Sequence, residues 1–405
     1  MGVHDLSLKI AVITEFHRLS PRLENEVDTL SKIGHDLKVF YWVRDNQQRM
    51  RSGFTDRLNT KIEHEYIFLR APRGTFPLIF FVPLLYFKFW LKLRRQRFDV
   101  VHFTHLLFLP FAVVWGRIHM TKLVYDAYEF HVADCARKAP RRLMKLQKLL
   151  EFVENRLVSL VDAVLTVDSV GNALADRYRR LNGNVQVLYN VPRMDTEAKG
   201  DPQDLQKVPP FRDQTLIYIG GLSQVKGVMR SVEAIKYVKD EISQVKLILI
   251  GSFLDDSEEI CNGYIKQQGL EGNVEFLDWM PYSEMLRYLK RASVGLALHQ
   301  PIHRYWLVSR GNGRKFFSYM QASLPIVGPE FGEVGQVVRD EKCGILCDTT
   351  DPRKIASAII YLLKHPQEAK SMGNRGRRAI ELKYNWDIEK DKLLKVYRKL
   401  EVGGR

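Results

Sequence analysis

Cysteine is scarce in this 405-residue chain. Cys135, Cys261, Cys343 and Cys347 are too few for a disulfide framework and suit a reducing compartment. Cys343 and Cys347 stand in the run KCGILC with no Cys/His cluster beside them, so no zinc site is expected. Long apolar runs are missing too. The charge-free core of the most apolar segment, Phe76 to Phe87, has twelve residues, well short of the ~20 that span a bilayer. The opening MGVHDLSLKIAVITE has no basic start followed by an apolar stretch, so no secretory signal is expected. Leu6 stands where a myristoylation motif needs Ser or Thr. Low-complexity tracts and short repeats are lacking as well. The expectation is a cytoplasmic, globular protein, and its length points to two domains.

What is abundant is positive charge, at a net +15. Residues 70–148 hold 15 Lys/Arg against 4 Asp/Glu, or +11. They include FPLIFFVPLLYFKFWLKLRRQR, residues 76–97, where Pro77 and Pro83 argue against a straight spanning helix. After Pro83, helical spacing puts Lys88, Lys92 and Arg95 on one face and Leu84, Phe87 and Leu91 on another. A basic amphipathic segment rich in Phe and Trp suits an anionic membrane surface. A buried helix with solvent-reaching lysines is the plainer alternative. No recognised nucleic-acid motif accompanies the charge, so no nucleic-acid partner is expected.

Short aliphatic runs alternate with helical patterns along the whole chain. KIAVIT, DLKVFYWV, DVVHFT, KLVYDAY, AVLTVD and VQVLYN recur in the first half. TLIYIG, VKLILIG, VEFLDW, VGLALH and LPIVGPE follow in the second. Nearly continuous apolar strands between helices predict parallel sheets covered on both faces. Residues 191–214 carry four prolines and no apolar period, and read as a linker. The predicted organisation is an amino-terminal domain over 1–190, a carboxyl-terminal domain over 215–385, and a last helix over 386–405 packing back on the first domain. The fold class is α/β, with two Rossmann-like parallel-sheet domains facing a cleft, and ligands are expected at the strands' carboxyl ends.

The motifs stand at those ends. In LIYIGGLSQVKGVMRSVEAI a strand stops at Gly220-Gly221, the loop carries Ser223 and Lys226, and Gly227 opens a helix. Glycines admit an anion close to the backbone, the helix start offers free N–H groups, and Lys226 adds a charge. Lys226 precedes Gly227, so this is not a P-loop, and the G-x-G-x-x-G dinucleotide fingerprint is absent. Gly251-Ser252 forms a second such turn. Further on, Arg310, Arg314 and Lys315 crowd a glycine-containing loop ahead of Phe316, Tyr319 and Met320. A cation at a helix start opposes the helix dipole, which favours a ligand role over a stabilising one. In the first half, DVVHFTH places His102 and His105 at a strand end, and VYDAYEFH gathers Asp126, Tyr128, Glu129 and His131. Carboxylate and imidazole together suit acid–base or hydroxyl-binding work, although a lone histidine such as His102 is more often core. Arg18 and Arg22 follow the first strand, in a loop that faces the cleft in this topology.

In order, these motifs resemble the retaining glycosyltransferases of family 4, with the GT-B fold, from about residue 8 to about residue 385. The carriers are SPRLENEVDTLSKIGHDLKV, the D-V-V-H segment Asp99 to His102, VYDAYEF, the Y-x-G-G-L loop Tyr218 to Leu222, and KFFSYMQASLPIV. The resemblance implies donor diphosphate binding by Gly220, Gly221 and Lys226, joined by Ser223, Gly251 and Ser252. It implies phosphate and ribose contacts by Lys315 and Ser318, and Arg314 and Tyr319 beside them are expected in the same donor site. Lys226, Asp126, Glu129 and His131 take the catalytic roles, and Arg18, Arg22, His105 and Tyr128 the acceptor side. Ser318 replaces the family's ribose-binding glutamate, Gln321 and Ser323 replace its small Ala and Gly, and Tyr128 replaces a histidine. The implied activity is transfer, with retention and without metal or cofactor, from a nucleotide diphosphate sugar to a glycan or lipid-linked acceptor. The implied location is peripheral, at the inner face of the cell membrane. A catalytically weakened scaffold and a nucleotide-sugar epimerase are the alternatives.

Overall fold

A computed structural model describes residues 7–17, 19–44, 62–71, 78–127, 144–167, 174–194, 214–302 and 313–402. The chain divides into two compact units, Met1–Asn190 with Glu389–Arg405, and Val191–Ile388.

The amino-terminal unit is built on β1 (Lys9–Thr14), β2 (Asp36–Val43), β3 (Glu63–Phe68), β4 (Val100–Phe103), β5 (Lys122–Ala127), β6 (Ala163–Thr166) and β7 (Val185–Val187). They pair in the order β3-β2-β1-β4-β5-β6-β7, every pair parallel. The helices are α1 (Pro21–Lys32), α2 (Val82–Leu93), α3 (Leu109–His119), α4 (Met144–Val158) and α5 (Leu174–Arg179). Ser20 caps α1 by accepting from the Leu23 N–H, and Pro21 occupies the first turn, where its missing N–H costs nothing. Pro83 likewise sits in the first turn of α2. Side chains alternate across each strand, so Val101 and Phe103 enter one core while His102 enters the other. The first core joins Ala11, Ile13 and Phe103 to Leu85 and Phe89 of α2, Trp115 of α3 and Val158 of α4. The chain's final helix returns Tyr397 to His102 on the opposite face.

The carboxyl-terminal unit holds β8 (Thr215–Ile219), β9 (Lys246–Ile250), β10 (Val274–Leu277), β11 (Val294–Leu296), β12 (Ile326–Pro329) and β13 (Gly344–Cys347). Their order is β10-β9-β8-β11-β12-β13, again all parallel. Its helices are α6 (Val228–Glu241), α7 (Ser257–Gln268), α8 (Tyr282–Leu289), α9 (Arg314–Gln321), α10 (Gly332–Glu341), α11 (Pro352–Lys364) and α12 (Pro366–Leu382). Helix α13 (Trp386–Val402) begins here, and its residues from Glu389 onward group with the amino-terminal unit. In each sheet the strand order reverses beside the first strand, at β1/β4 and at β8/β11, the position where such sheets take ligands.

Two strands escape the sequence patterns. β3 reads EHEYIF, polar because it is an edge strand pairing with β2 alone. β13 is the edge of the second sheet and only four residues long. Most of the linker, residues 195–213, lies outside the described residues.

The basic segment forms a helix with its core-facing stripe on a third set of positions. Leu85, Phe89 and Leu93 are buried, whereas Leu84 and Phe87 face outward. Lys92 pairs with Glu65 of β3, and Lys88 donates to the Phe68 carbonyl at 2.9 Å. Two of the three cations assigned to a free basic face are therefore tied to the neighbouring strand, while Arg94 and Arg95 remain exposed.

Candidate functional site

Within the carboxyl-terminal unit the predicted turn residues converge. β8 ends at Ile219, and Gly220 adopts φ 103°, a left-handed conformation that a side chain opposes. Gly251, after β9, has φ 149°, and a Cβ there would overlap the Gly220 carbonyl oxygen. The two glycine turns thus touch, and bulk at Gly251 displaces Gly220. A short turn, Gln224–Lys226, follows, with buried Ser223 at its start and Gly227 (φ 81°) opening α6.

Lys226 and Lys315 meet at this turn. A Cβ on Gly221 would stand 3.1 Å from Lys226 Nζ, and one on Gly220 would stand 3.9 Å from Lys315 Cε. Lys315 reaches here from the first turn of α9, whose start has no acidic residue and no capping side chain. Its ammonium is shielded from solvent, has no hydrogen-bond partner among the described residues, and lies over the Tyr218 ring. Burial, and then the charge of Lys226, push its pKa well below the usual lysine value. Two crowded cations, Lys315 with its ammonium buried and Lys226 half-buried, beside glycine backbone define a site for a polyanion. The Ser223 hydroxyl is also buried without a partner among the described residues.

His299, just past β11, belongs to the same cluster and was not anticipated as a site residue. Burial first, then Lys315 and Lys226, drive its imidazole well below its ordinary pKa, so it is neutral. Its ring stacks on Phe316. The signal was present: VGLALH is a strand ending in a histidine, at the same sheet edge as the glycine turns.

Tyr319, expected as a donor contact, is fully buried inside the unit. Its hydroxyl accepts from Ile219 N at 3.1 Å and donates to Leu296 O at 2.8 Å, and its ring packs where a Cβ on Gly295 would sit. Ser318 is buried, donates to Arg314 O at 3.0 Å, and lies 3.1 Å from the Tyr282 hydroxyl, which also reaches Gln321 Oε1 at 2.6 Å. Arg314 stacks over the Tyr282 ring. Ser252 contributes its carbonyl to Leu222 N.

Within the amino-terminal unit, Arg22 and Asp126 form a buried pair, Nη2 to Oδ1 at 2.6 Å and Nε to Oδ2 at 3.3 Å. Arg22 also lies 3.0 Å from Glu26 and donates to Leu188 O at 2.5 Å. Arg22, expected on the acceptor side, is thus buried and engaged through Nε, Nη1 and Nη2 inside the unit. Asp126 is fully buried in the same network rather than open to a ligand. Burial, reinforced by Asp126, raises the Glu26 carboxyl well above its ordinary pKa. His102 accepts or donates at Tyr397 Oη (2.8 Å) and stands 3.5 Å from Glu26. Glu26, His102 and Asp126 are the one grouping of metal-type side chains among the described residues, and Arg22 already supplies their cation. His105 accepts from Leu107 N at 3.0 Å, and desolvation followed by Arg44 lowers it to about 3, a structural cap. Arg18, Tyr128, Glu129, His131 and Arg310 lie outside the described residues.

Comparison with known proteins adds an independent line. The family described as Glycosyl transferases group 1 matches residues 202–379, and Glycosyltransferase Family 4 matches residues 22–191. Spore coat protein SA of Bacillus subtilis is 23% identical over 332 residues, covering 76% of this chain and 80% of that protein. Sucrose-phosphate synthase from Thermosynechococcus elongatus superposes with a TM-score of 0.69 at 16% identity, over 98% of this chain and 100% of that one. Anabaena HepE in complex with UDP gives 0.68 at 14% identity, over 97% and 100%.

Proposed function

The chain belongs to the glycosyltransferases of family 4 type with the GT-B fold, and from that membership we propose that it transfers a sugar from a nucleoside diphosphate sugar to a hydroxyl acceptor. The observation that carries the donor reading is the meeting of Lys226 and Lys315 at the Gly220–Gly221 turn. A structural neighbour, HepE, was solved with UDP, which makes uridine diphosphate the first donor product to test.

In the reaction, the bond from the anomeric carbon to the diphosphate oxygen breaks, and its electron pair leaves on that oxygen. The acceptor hydroxyl bonds to the same carbon from the same face, and its proton passes to the departing phosphate oxygen. Charge therefore builds on the diphosphate as the bond breaks. Lys226, Lys315 and the glycine-turn N–H groups stabilise that charge without reorganising, the largest kind of electrostatic contribution to catalysis. Two lysines take the part a divalent cation plays elsewhere, so the reading is metal-independent. The acceptor is a lipid-linked or polysaccharide glycan at a membrane surface, which the outward Leu84 and Phe87 of α2 and the exposed Arg94 and Arg95 support. Among the described residues no helix is long and apolar enough to cross a membrane, and the proposed contact is peripheral.

Thermal-shift screening of UDP- and GDP-sugars, followed by turnover of Lys226→Ala, tests this reading. Stabilisation by one nucleotide class is expected, with turnover of Lys226→Ala down by orders of magnitude in a folded protein. Unchanged turnover removes the diphosphate cradle. One observation favours a second reading, a partner-binding scaffold: Ser318, in place of a ribose-binding carboxylate, is engaged by Tyr282 and Arg314. No heat of binding with millimolar UDP or GDP selects the scaffold.

A further inference from the structure

We propose that the lipid-contacting surface is a continuous face of three helices, α2, α3 and α4, seated on an anionic bilayer. This rests on the reading that the acceptor is handled at a membrane, and it extends that contact well beyond the basic segment at residues 76–97.

The three helices lie side by side on one face of the first sheet. All send side chains into the same core, Leu85 and Phe89 from α2, Trp115 from α3 and Val158 from α4. Trp90 of α2 packs edge-on against Trp115 at 4.9 Å, and α3 packs against α4. Their outer sides are apolar as well. Leu84 and Phe87 stand one turn apart on α2, on the side away from Leu85 and Phe89. Val114 and Ile118 repeat the arrangement on α3, 53% and 60% exposed. Leu149 and Phe152 do so on α4, 57% and 67% exposed. With the turns at the helix ends, these elements carry nine of the twelve large apolar side chains that the amino-terminal unit exposes among its described residues. Such concentration marks an interaction surface rather than scattered exposure.

Charge decides what the surface meets. Neither α2 nor α3 contains an acidic residue. Arg117, Lys148 and Arg156 stand exposed among the apolar ridges, and Arg94 and Arg95 follow α2. Glu154, one of two carboxylates on α4, is buried against Arg177 and Tyr178. In a bilayer long basic side chains reach phosphate headgroups while Leu, Ile and Phe enter the acyl region. The interleaving of the two types fits an anionic lipid surface.

The experiment is co-sedimentation of the full chain with vesicles of equal parts phosphatidylcholine and phosphatidylglycerol, and with phosphatidylcholine alone. Wild type is expected to bind the anionic vesicles. Ile118→Glu and Phe152→Glu are each expected to lower the partition coefficient about tenfold, from loss of one inserted side chain. Arg117→Gln with Lys148→Gln weakens binding to anionic vesicles alone. All these positions are solvent-exposed, so melting curves and UDP binding by calorimetry stay as in wild type, and failure of the donor-site reading shows separately. Full binding by Ile118→Glu and Phe152→Glu, with loss in Phe87→Glu, confines contact to α2 and overturns the three-helix face while the membrane reading stands. No vesicle binding by wild type overturns both. A self-associated wild type that Ile118→Glu converts to monomer, without vesicle binding, makes the face a protein interface and overturns the proposal.

Discussion

The ammonium of Lys315 lies 3.7 Å from the centroid of the Tyr218 ring, and the face of that ring is its one described counterpart. A π-face compensates a buried charge only partly. The remaining deficit is visible in the lowered pKa, which burial and Lys226 cause together. A diphosphate placed at the Gly220–Gly221 turn reverses both effects, since it restores a counter-charge and separates the two cations.

Nucleotide binding is therefore expected to take up protons. Burial and Lys226 disfavour the charged form of Lys315 without ligand and a diphosphate favours it, so the enthalpy of UDP binding is expected to differ between Tris and Hepes in the direction of uptake over the pH range where Lys315 titrates. Lys315→Met abolishes that buffer dependence and weakens binding about 10- to 100-fold, the value of a charge-assisted hydrogen bond. Equal enthalpies in the two buffers refute the assignment.

Gly251→Ala tests the contact between the turns. The added methyl overlaps the Gly220 carbonyl, and φ 149° is strained for any L-residue. Loss of UDP affinity by at least about tenfold is expected, along with a lower melting point, because the backbone that meets the phosphate moves. Gly263→Ala is the control. It sits mid-helix on α7 with open space around its missing Cβ, and is expected to stabilise by about 0.5–1 kcal/mol without touching nucleotide binding.

Tyr319→Phe separates structure from recognition. Removing the hydroxyl leaves the Ile219 N–H and the Leu296 carbonyl without this partner inside the second core, at a cost of about 1–3 kcal/mol. UDP affinity in the folded variant is expected to match wild type, and a large drop in affinity restores Tyr319 to the donor site.

The parallel strands were legible because they are buried on both faces and read as unbroken aliphatic runs. β3 was not, since its one-sided pairing lets Glu63 and Glu65 face Lys38 and Lys92. The same logic divides the site residues. Gly220, Gly221, Lys226 and Lys315 carry local signals, a strand end or a helix start, and the sheet's reversal point brings them together. Arg22 carries a weaker one. On the helix it resembles an ordinary first-turn charge, and its partners Asp126 and Leu188 lie 104 and 166 residues away. His102 meets Tyr397 across 295 residues, a contact no spacing rule reaches.

That long-range network supplies the last prediction. Arg22→Ala strands Asp126 and Glu26 without their shared cation, and breaking a buried pair from one side costs about 3–5 kcal/mol. His102 adds a pH dependence. Burial lowers its folded pKa to about 4 from an ordinary 6.5, so between those values the unfolded chain holds the extra proton. Its contribution to stability is present above 6.5 and is lost as pH falls toward 4. Glu26, raised by burial, works with the opposite sign, favouring the folded state on acidification and losing that advantage as pH rises above 4.5. The two oppose each other, so the comparison is between variants rather than within wild type. Denaturant unfolding of His102→Gln is expected to lose less stability than wild type between pH 6.5 and 4, whatever its offset at neutral pH. Parallel curves for the two proteins over that window place the His102 proton outside the folding equilibrium.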